Sequence, residues 1–502
     1  MTPKELYNAY QARKEQFHHY VDKLKQNTPI DFYTIINPAL VKNPYVSEFP
    51  KTFFMQKVKH QNYILGFIKS LVVFYSKNIY LFVAYAISFI LFKMFYHKKR
   101  DELQLETIID VFLLVEQINK NSIFKESYFV GLYDYFEKYN QPYTILPRLY
   151  QVGKNPFKLI SFFKIINHDK RNFLFEFELL GCQDFMMLFI MMFCYPWKTL
   201  KLLQTEKTLE DRIFNQSLIT EIKAFNFQSL TRYILGKNIA KLTNVKQIYS
   251  WSEFQVIERS FNYAIRTQND TIRLIACQFY LNYEIYFNSY IDDFDDVMKT
   301  SPHEILVNGK YYVLNKKKIK YRLGVSLRYK DIFTFKGIKE ANNILLLGSY
   351  IEKDTRYMLD SIKGFDKVIF KNHPVVDIKK LGILPKNIIV VNENVYKLFE
   401  NANLVIGTAS GTSIEAVACG VSVIIVASQD NLTANSLVKY GQGKIWDIAF
   451  SKEEVFEVYD RLIHYRNENS DEIKKIALWY KENFFVEPSE KNIIRVFGLQ
   501  KE

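Results

Sequence analysis

The stretch NLVIGTASGTSIEAVACGVSVIIV, residues 403–426, constrains this chain most. Two continuous apolar runs, 403–407 and 421–426, bracket a segment with helical spacing at 413–419. A strand that is apolar at every position is covered on both faces, and two strands joined through a helix run parallel. The pattern recurs along most of the chain. Candidate strands lie at 108–115, 143–147, 246–251, 272–277, 304–309, 343–349, 367–371, 387–391, 403–407 and 421–426. Helical patterns such as 128–139, 253–266 and 413–419 alternate with them. So many strands exceed one compact doubly wound unit, and the spacing predicts two such domains joined near 325–341. With 502 residues, 48% of them hydrophobic, the chain can supply both cores.

Charge is concentrated at one end. Residues 1–100 hold 15 Lys and Arg against 5 Asp and Glu, most of the net +14. The basic residues flank an apolar run, 79–92, followed by Lys93 and by 97-HKKR-100. An aromatic-studded basic sheet would point to nucleic acid; this placement does not. Fourteen uncharged residues fall short of the ~20 needed to span a bilayer. Both flanks are basic, so no orientation follows. The reading preferred here is a helix lying on an anionic membrane surface. A membrane span and an aromatic-rich core helix stay open beside it. A second run, 185-FMMLFIMMFCYPW-197, is too short to span and is expected to be a buried helix or a surface groove. The four cysteines, Cys182, Cys194, Cys277 and Cys419, lie in apolar surroundings without metal-ligand spacing, and are expected to be packed, reduced thiols. The start of the chain is helical and charged, with no sign of a secretory leader.

Open parallel sheets bind ligands beyond the carboxyl ends of their strands. Two loops at such ends have the right chemistry. After 403–407 comes 408-TASGTS-413, whose hydroxyls, with Gly411 at a helix start, suit a phosphate oxygen. Ordinary N-capping needs only one hydroxyl; this loop has Thr408, Ser410, Thr412 and Ser413. Glu415, in the first turn, either offsets the helix dipole or accepts from ribose hydroxyls. After 367–371 come Asn372, His373 and Pro374, where proline turns the chain out of the strand and holds His373 and Lys371 near the crevice. On the first domain Glu253 follows a strand and opens a helix, where a carboxylate can serve as general base. Glu258 and Arg259 are expected to form surface or interdomain pairs. Arg328 either reaches donor phosphate or ties the domains. No DxD pair follows a strand in the second domain, and the acidic run 292-DDFDD-296 reads as a solvated loop, so transfer without a metal is favoured.

The HP pair at 373–374 with the serine-rich loop at 408–413 resembles the second domain of GT-B glycosyltransferases. Among these it is most similar to bacterial sialyltransferases, Kdo transferases and CDP-glycerol transferases of surface polysaccharides. The segments 146-LPRLY-150, 250-SWSEFQVIERSFNYAIR-266, 278-QFYL-281, 307-VNGKYY-312 and 320-KYRLGVSLRY-329 resemble a family of sugar transferases of surface carbohydrate biosynthesis. Ser252, Phe254 and Val325 depart from that family's usual residues. The resemblance implies an α/β, GT-B-like fold: two doubly wound, Rossmann-like domains facing a cleft, behind a basic and apolar helical extension. The expected division is 1–100 for the extension, 101–335 for the acceptor domain and 336–502 for the nucleotide-sugar domain. It implies that His373, Ser410, Thr412 and Ser413 grip the donor phosphate; Lys371, Gly411 and Glu415 join this donor-nucleotide site, and Glu253 is the base, from their places at strand ends. No cofactor is expected, the nucleotide-sugar (CMP- or CDP-linked) being a substrate. The acceptor would be a glycan or glycolipid and the place of action the cytoplasmic face of the membrane, with no nucleic-acid partner. A nucleotide-sugar 2-epimerase and an inactive scaffold of the same fold are the alternatives.

Overall fold

The computed structural model describes the chain except residues 29–30, 42, 45–46, 59–62, 98–104, 113–125, 150–154, 340–342 and 501–502. Twelve strands are described, in two sheets of six. The first sheet has β1 (Thr107–Phe112), β2 (Thr144–Arg148), β3 (Gln247–Trp251), β4 (Arg273–Gln278), β5 (Glu304–Val307) and β6 (Lys320–Leu323), in the order β2-β1-β3-β4-β5-β6. The second has β7 (Asn343–Leu347), β8 (Val368–Lys371), β9 (Ile388–Val391), β10 (Ala402–Gly407), β11 (Ser422–Val426) and β12 (Trp446–Ala449), in the order β12-β11-β10-β7-β8-β9. Every neighbouring pair is parallel. β11 is buried at every residue, as its unbroken apolar run requires.

Both sheets are doubly wound. Strand order reverses between β1 and β3 in the first and between β7 and β10 in the second, and such switch points open the crevice where ligands sit. The arrangement is GT-B-like. Each expected strand that lies within the described residues is present; positions 113–115 of the first candidate fall outside them. β6 and β12 were not anticipated. Each is four residues long, at a sheet edge, and carries charge (Lys320, Arg322, Asp447), which masks the apolar signal.

The chain ends tie the halves together. The helix Glu490–Phe497 returns to the first sheet, where Phe497 packs against Tyr249 at 5.2 Å and Phe136 at 6.2 Å. The first helix, Pro3–Asn27, starts from a reciprocal cap between Thr2 and Glu5 and reaches both halves. Tyr7 meets Phe450 beside β12, while Lys14 pairs with Glu284 at 2.6 Å. Lys25, buried, is held by Asp292 at 3.1 Å and Asp295 at 3.2 Å. The acidic run is therefore not a solvated loop. Asp292 caps a short helix, Asp293–Val297, and the buried Asp295 also takes Arg259 at 2.5 Å. Lys25 and Arg259 converge on Asp295, which explains why it can be buried.

The two apolar runs form long helices. Tyr63–Phe95 extends well beyond the run at 79–92 because Lys69 and Lys77 are compatible with helix. Cys182–Thr199 is neither fully buried nor a groove: Met186, Phe189, Ile190, Phe193 and Trp197 face outward. Cys182 is exposed and Cys194 half-buried, so only Cys277 and Cys419 are packed as expected; all four are free thiols.

Candidate functional site

The serine loop leaves β10 at the switch point. Ala409 takes φ +48, a left-handed value uncommon for a residue with a Cβ. The loop is braced by hydrogen bonds. Ala409 N–H donates to the Ala434 carbonyl at 3.2 Å, and Ser436 Oγ–H to the Ser410 carbonyl at 3.2 Å. Ser410 Oγ accepts from Thr412 N–H at 3.2 Å. The helix that follows is short, Thr412–Ala418. The Thr408 and Ser413 hydroxyls are buried without a hydrogen-bond partner. An unpartnered buried hydroxyl costs about 1–3 kcal/mol, so two in one loop leave hydrogen-bonding capacity unused there. Gly411 presses on the first domain: a Cβ there would lie 2.9 Å from Leu281 Cβ.

His373 stands on the neighbouring loop. Gly348, after β7, is needed for the loops to approach, since a Cβ would lie 2.9 Å from the His373 backbone nitrogen. His373 Nδ1 accepts from Val375 N–H at 3.3 Å, which places the ring proton on Nε2 as a donor. Burial lowers its pKa below the usual histidine value, so the ring is neutral at pH 7. Lys371 is turned elsewhere: its ammonium donates to the Glu393 carbonyl at 2.7 Å, and burial lowers its pKa. Glu415 is buried and accepts from the Tyr396 hydroxyl at 2.5 Å. Burial raises its carboxyl pKa, opposed by that hydroxyl and by the Arg328 guanidinium.

Arg328 is the link between the halves. It follows β6 on a tight turn, exposed, with its guanidinium over the rings of Tyr128 and Trp251 at 5.4 Å each. It makes no ion pair among the described residues. Besides Glu415, its charge bears on Glu126, a carboxyl that burial pushes up to about 7. A cation held by π-faces and beyond ion-pair distance of these carboxylates suits an incoming phosphate.

On the first domain, Trp251, Ser252 and Glu253 leave β3 at its carboxyl end. Phe254 takes φ +55 although it is fully buried, so the turn is held under local strain. Glu253 is half-buried. Its Oε2 accepts from Gln255 Nε2 at 2.8 Å, and its carbonyl accepts from Asn288 Nδ2 at 2.6 Å. Two residues before Asn288, the Tyr286 hydroxyl meets the Tyr350 hydroxyl at 2.9 Å, and Tyr350 sets its ring against His373 at 6.1 Å. Contacts thus run from the Glu253 turn to the His373 loop across the crevice.

Beneath the turn lies a charge network that the sequence reading missed. Arg148 binds Asp110 at 2.6 Å and Glu258 at 2.5 Å, and donates to the Trp251 carbonyl at 2.7 Å. Arg232 adds a second cation to Asp110 at 2.6 Å. All four side chains are buried, so Glu258 and Arg259 are interior groups of the first domain and not surface or interdomain pairs. The two guanidiniums hold the Asp110 carboxyl down at about 2 against burial, while burial pushes Glu258 up to about 7. The available signal was Arg148 inside an apolar strand, TILPR, where a lone cation needs buried carboxylates. Among the described residues no three His, Cys, Asp or Glu gather as a metal site.

No protein-family profile matches the chain. No curated protein matches it either. Solved structures do. UDP-GlcNAc 2-epimerase of Methanocaldococcus jannaschii, in complex with UDP-GlcNAc and UDP, aligns at 10% identity and TM-score 0.43, over 78% of this chain and 100% of that one. Acinetobacter baumannii MurG aligns at 10% identity and TM-score 0.41, over 78% and 99%. The wall teichoic acid polymerase TagF, soaked with CDPG, aligns at 10% identity and TM-score 0.39, over 87% and 96%.

Proposed function

We propose that the protein is a glycosyltransferase that moves a sugar from a nucleotide-activated donor to a surface polysaccharide or glycolipid, without a metal. One observation carries the reading. Loops at the carboxyl ends of two doubly wound sheets carry a donor histidine nitrogen, two unpartnered hydroxyls, an arginine in no ion pair among the described residues, and a carboxylate. The donor's phosphate oxygens take the His373 Nε2–H, the Thr408, Ser410, Thr412 and Ser413 hydroxyls and the Arg328 guanidinium. Glu253 removes the proton from the acceptor hydroxyl as that oxygen attacks the anomeric carbon. The bond from that carbon to the phosphate oxygen breaks, and Arg328 offsets the charge left on the nucleotide. Glu415 and Lys371 support the site from their own partners, Tyr396 and the Glu393 carbonyl. By resemblance the donor is CMP- or CDP-linked, and the place of action is the cytoplasmic face of the membrane.

Calorimetric titration of CMP, CDP, UDP and GDP tests this. One nucleotide should bind selectively, and His373→Ala and Arg328→Ala should each weaken it about tenfold, as the loss of one hydrogen bond to a charged group does. Binding of no nucleotide, or equal binding by both variants, would remove the donor site.

A further inference from the structure

The helix Tyr63–Phe95 has its polarity reversed. Its inward stripe holds the buried Ser70, Asn78 and Ser88 beside Phe74 and Phe92. Its outward stripe runs Leu65, Ile68, Val72, Ile79, Val83, Ile87, Ile90 and Met94, all exposed and spaced along one face of the helix. A helix in water puts its polar residues outside. Ile64 is 70% exposed, Leu65 65% and Val72 62%.

The helix Cys182–Thr199 lies antiparallel beside it and widens the face. Phe67 meets Trp197 at 5.4 Å, Tyr75 stacks on Phe193 at 5.1 Å and Phe82 meets Phe189 at 5.5 Å. Trp197 Nε1–H donates to the Tyr75 hydroxyl at 3.2 Å, which donates to the Phe193 carbonyl at 3.0 Å. The second helix adds Met186, Ile190, Phe193 and Trp197 to the outward surface. Single exposed apolar residues are ordinary; a contiguous face on two long helices is not.

The charge on the first helix has one sign. Residues 63–95 contain Lys69, Lys77 and Lys93 and no carboxylate. In the second helix the lone acid, Asp184, is committed to the helix start, accepting from Gly181 N–H at 2.9 Å. Lys69 and Lys93 are exposed on the first helix, and Lys201 is exposed just beyond the second. Apolar area rimmed by lysine, with Tyr80 and Trp197 outward, matches an anionic leaflet.

Both helices are long and apolar enough to cross a membrane by length and composition. The first is nevertheless fastened side-on at both ends and between. Tyr63 Oη–H donates to Glu206 at 2.6 Å, Lys77 Nζ to the Phe225 carbonyl at 3.0 Å, and His97 N–H to Asn167 at 3.1 Å. Phe74 stacks on Tyr195, and Phe92 packs against Phe163 and Phe175. A rod of about 50 Å held this way offers one face to lipid and cannot run through a bilayer.

We propose that the two helices form an in-plane platform sunk into one leaflet of an anionic membrane, with the rest of the first domain standing above it. The proposal rests on the surface alone and holds whether or not the crevice binds nucleotide. The test floats the full chain with vesicles of phosphatidylcholine containing phosphatidylglycerol, and with phosphatidylcholine alone. The chain should float with the anionic vesicles and less with the neutral ones. The triple variant Ile68→Glu, Val83→Glu, Ile190→Glu should lose vesicle binding by roughly a hundredfold or more, three carboxylates in hydrocarbon being costly. All three positions are exposed, so its unfolding midpoint should be unchanged. Lipids brominated near the head group should quench the protein's fluorescence more than lipids brominated deep in the chain, and Trp197→Phe should remove that quenching. Failure to float with either vesicle, or deep bromines quenching best, overturns the platform. So does a dimer in light scattering that the triple variant splits, because a second copy would then cover the face.

Discussion

Gly411→Ala tests whether the serine loop depends on its pressure against the first domain. Gly411 has φ −61, so alanine adopts the backbone without strain and should stabilise by ~0.4–1 kcal/mol through the unfolded chain. Against this, the added Cβ would stand 2.9 Å from Leu281 Cβ and 3.5 Å from Leu281 Cδ1 and the Leu281 carbonyl oxygen. Leu281 is buried and cannot swing away, and overpacking costs ~1–3 kcal/mol. The net expectation is a destabilisation of up to about 2.6 kcal/mol, with the loop displaced and nucleotide affinity reduced. Leu281→Ala would not relieve the contact, because the atom in the way is Cβ itself. Leu281→Gly removes it. Unfolding midpoints and calorimetric affinities of the two single variants and the double should show a favourable coupling of ~0.5–3 kcal/mol. If Gly411→Ala only stabilises and leaves affinity alone, or if Leu281→Gly fails to rescue it, the contact does not position the loop.

Other outcomes follow from the buried groups. Glu253→Gln should lower kcat by ~10²–10⁴ while leaving the nucleotide dissociation constant unchanged; a drop in nucleotide affinity instead would make Glu253 a binding residue. Arg148→Met strands Glu258 and should cost about 3–5 kcal/mol, read as a fall in the unfolding midpoint, with a loss under 1 kcal/mol refuting the network's role. Glu221 is buried, accepting from Ser47 Oγ–H at 2.8 Å and Phe49 N–H at 2.9 Å, and burial raises its carboxyl from 4.5 to about 8. The folded chain keeps this proton where the unfolded chain has lost it. Its contribution is full below 4.5 and falls as pH rises toward 8, by ~1.4 kcal/mol per unit. Glu221→Gln should flatten that part of the midpoint-against-pH curve.

The strand pattern was legible because both sheets are parallel and their central strands are covered on both faces, so those strands are largely apolar. β6 and β12 escaped because an edge strand of four residues can alternate with charge. The serine loop and the HP turn could be placed at strand ends from sequence. What sequence did not show was which groups are already engaged. Lys371 and His373 are two residues apart, yet one is bonded to a carbonyl and the other keeps a free donor. Glu258 and Arg259, charged residues within one helix, read as surface or interdomain pairs. Their burial depends on Arg148 and Asp295, which lie 110 and 36 residues away. The outward face of Tyr63–Phe95 is likewise visible only when its neighbours are known, since an apolar helix carries no mark of which side is covered.

The first helix touches residues at the far end of the chain. Lys4 lies 3.8 Å from Glu454, and Tyr7 packs on Phe450. During synthesis this helix is made more than four hundred residues before Phe450 and Glu454 exist. At ordinary elongation rates the wait is about 20–90 s. Over that interval its buried face, Phe17 and Val21 included, has only nearby segments to pack on. Its contacts with Phe450 and Glu454 therefore form late, after its other face has been covered by the neighbouring segment.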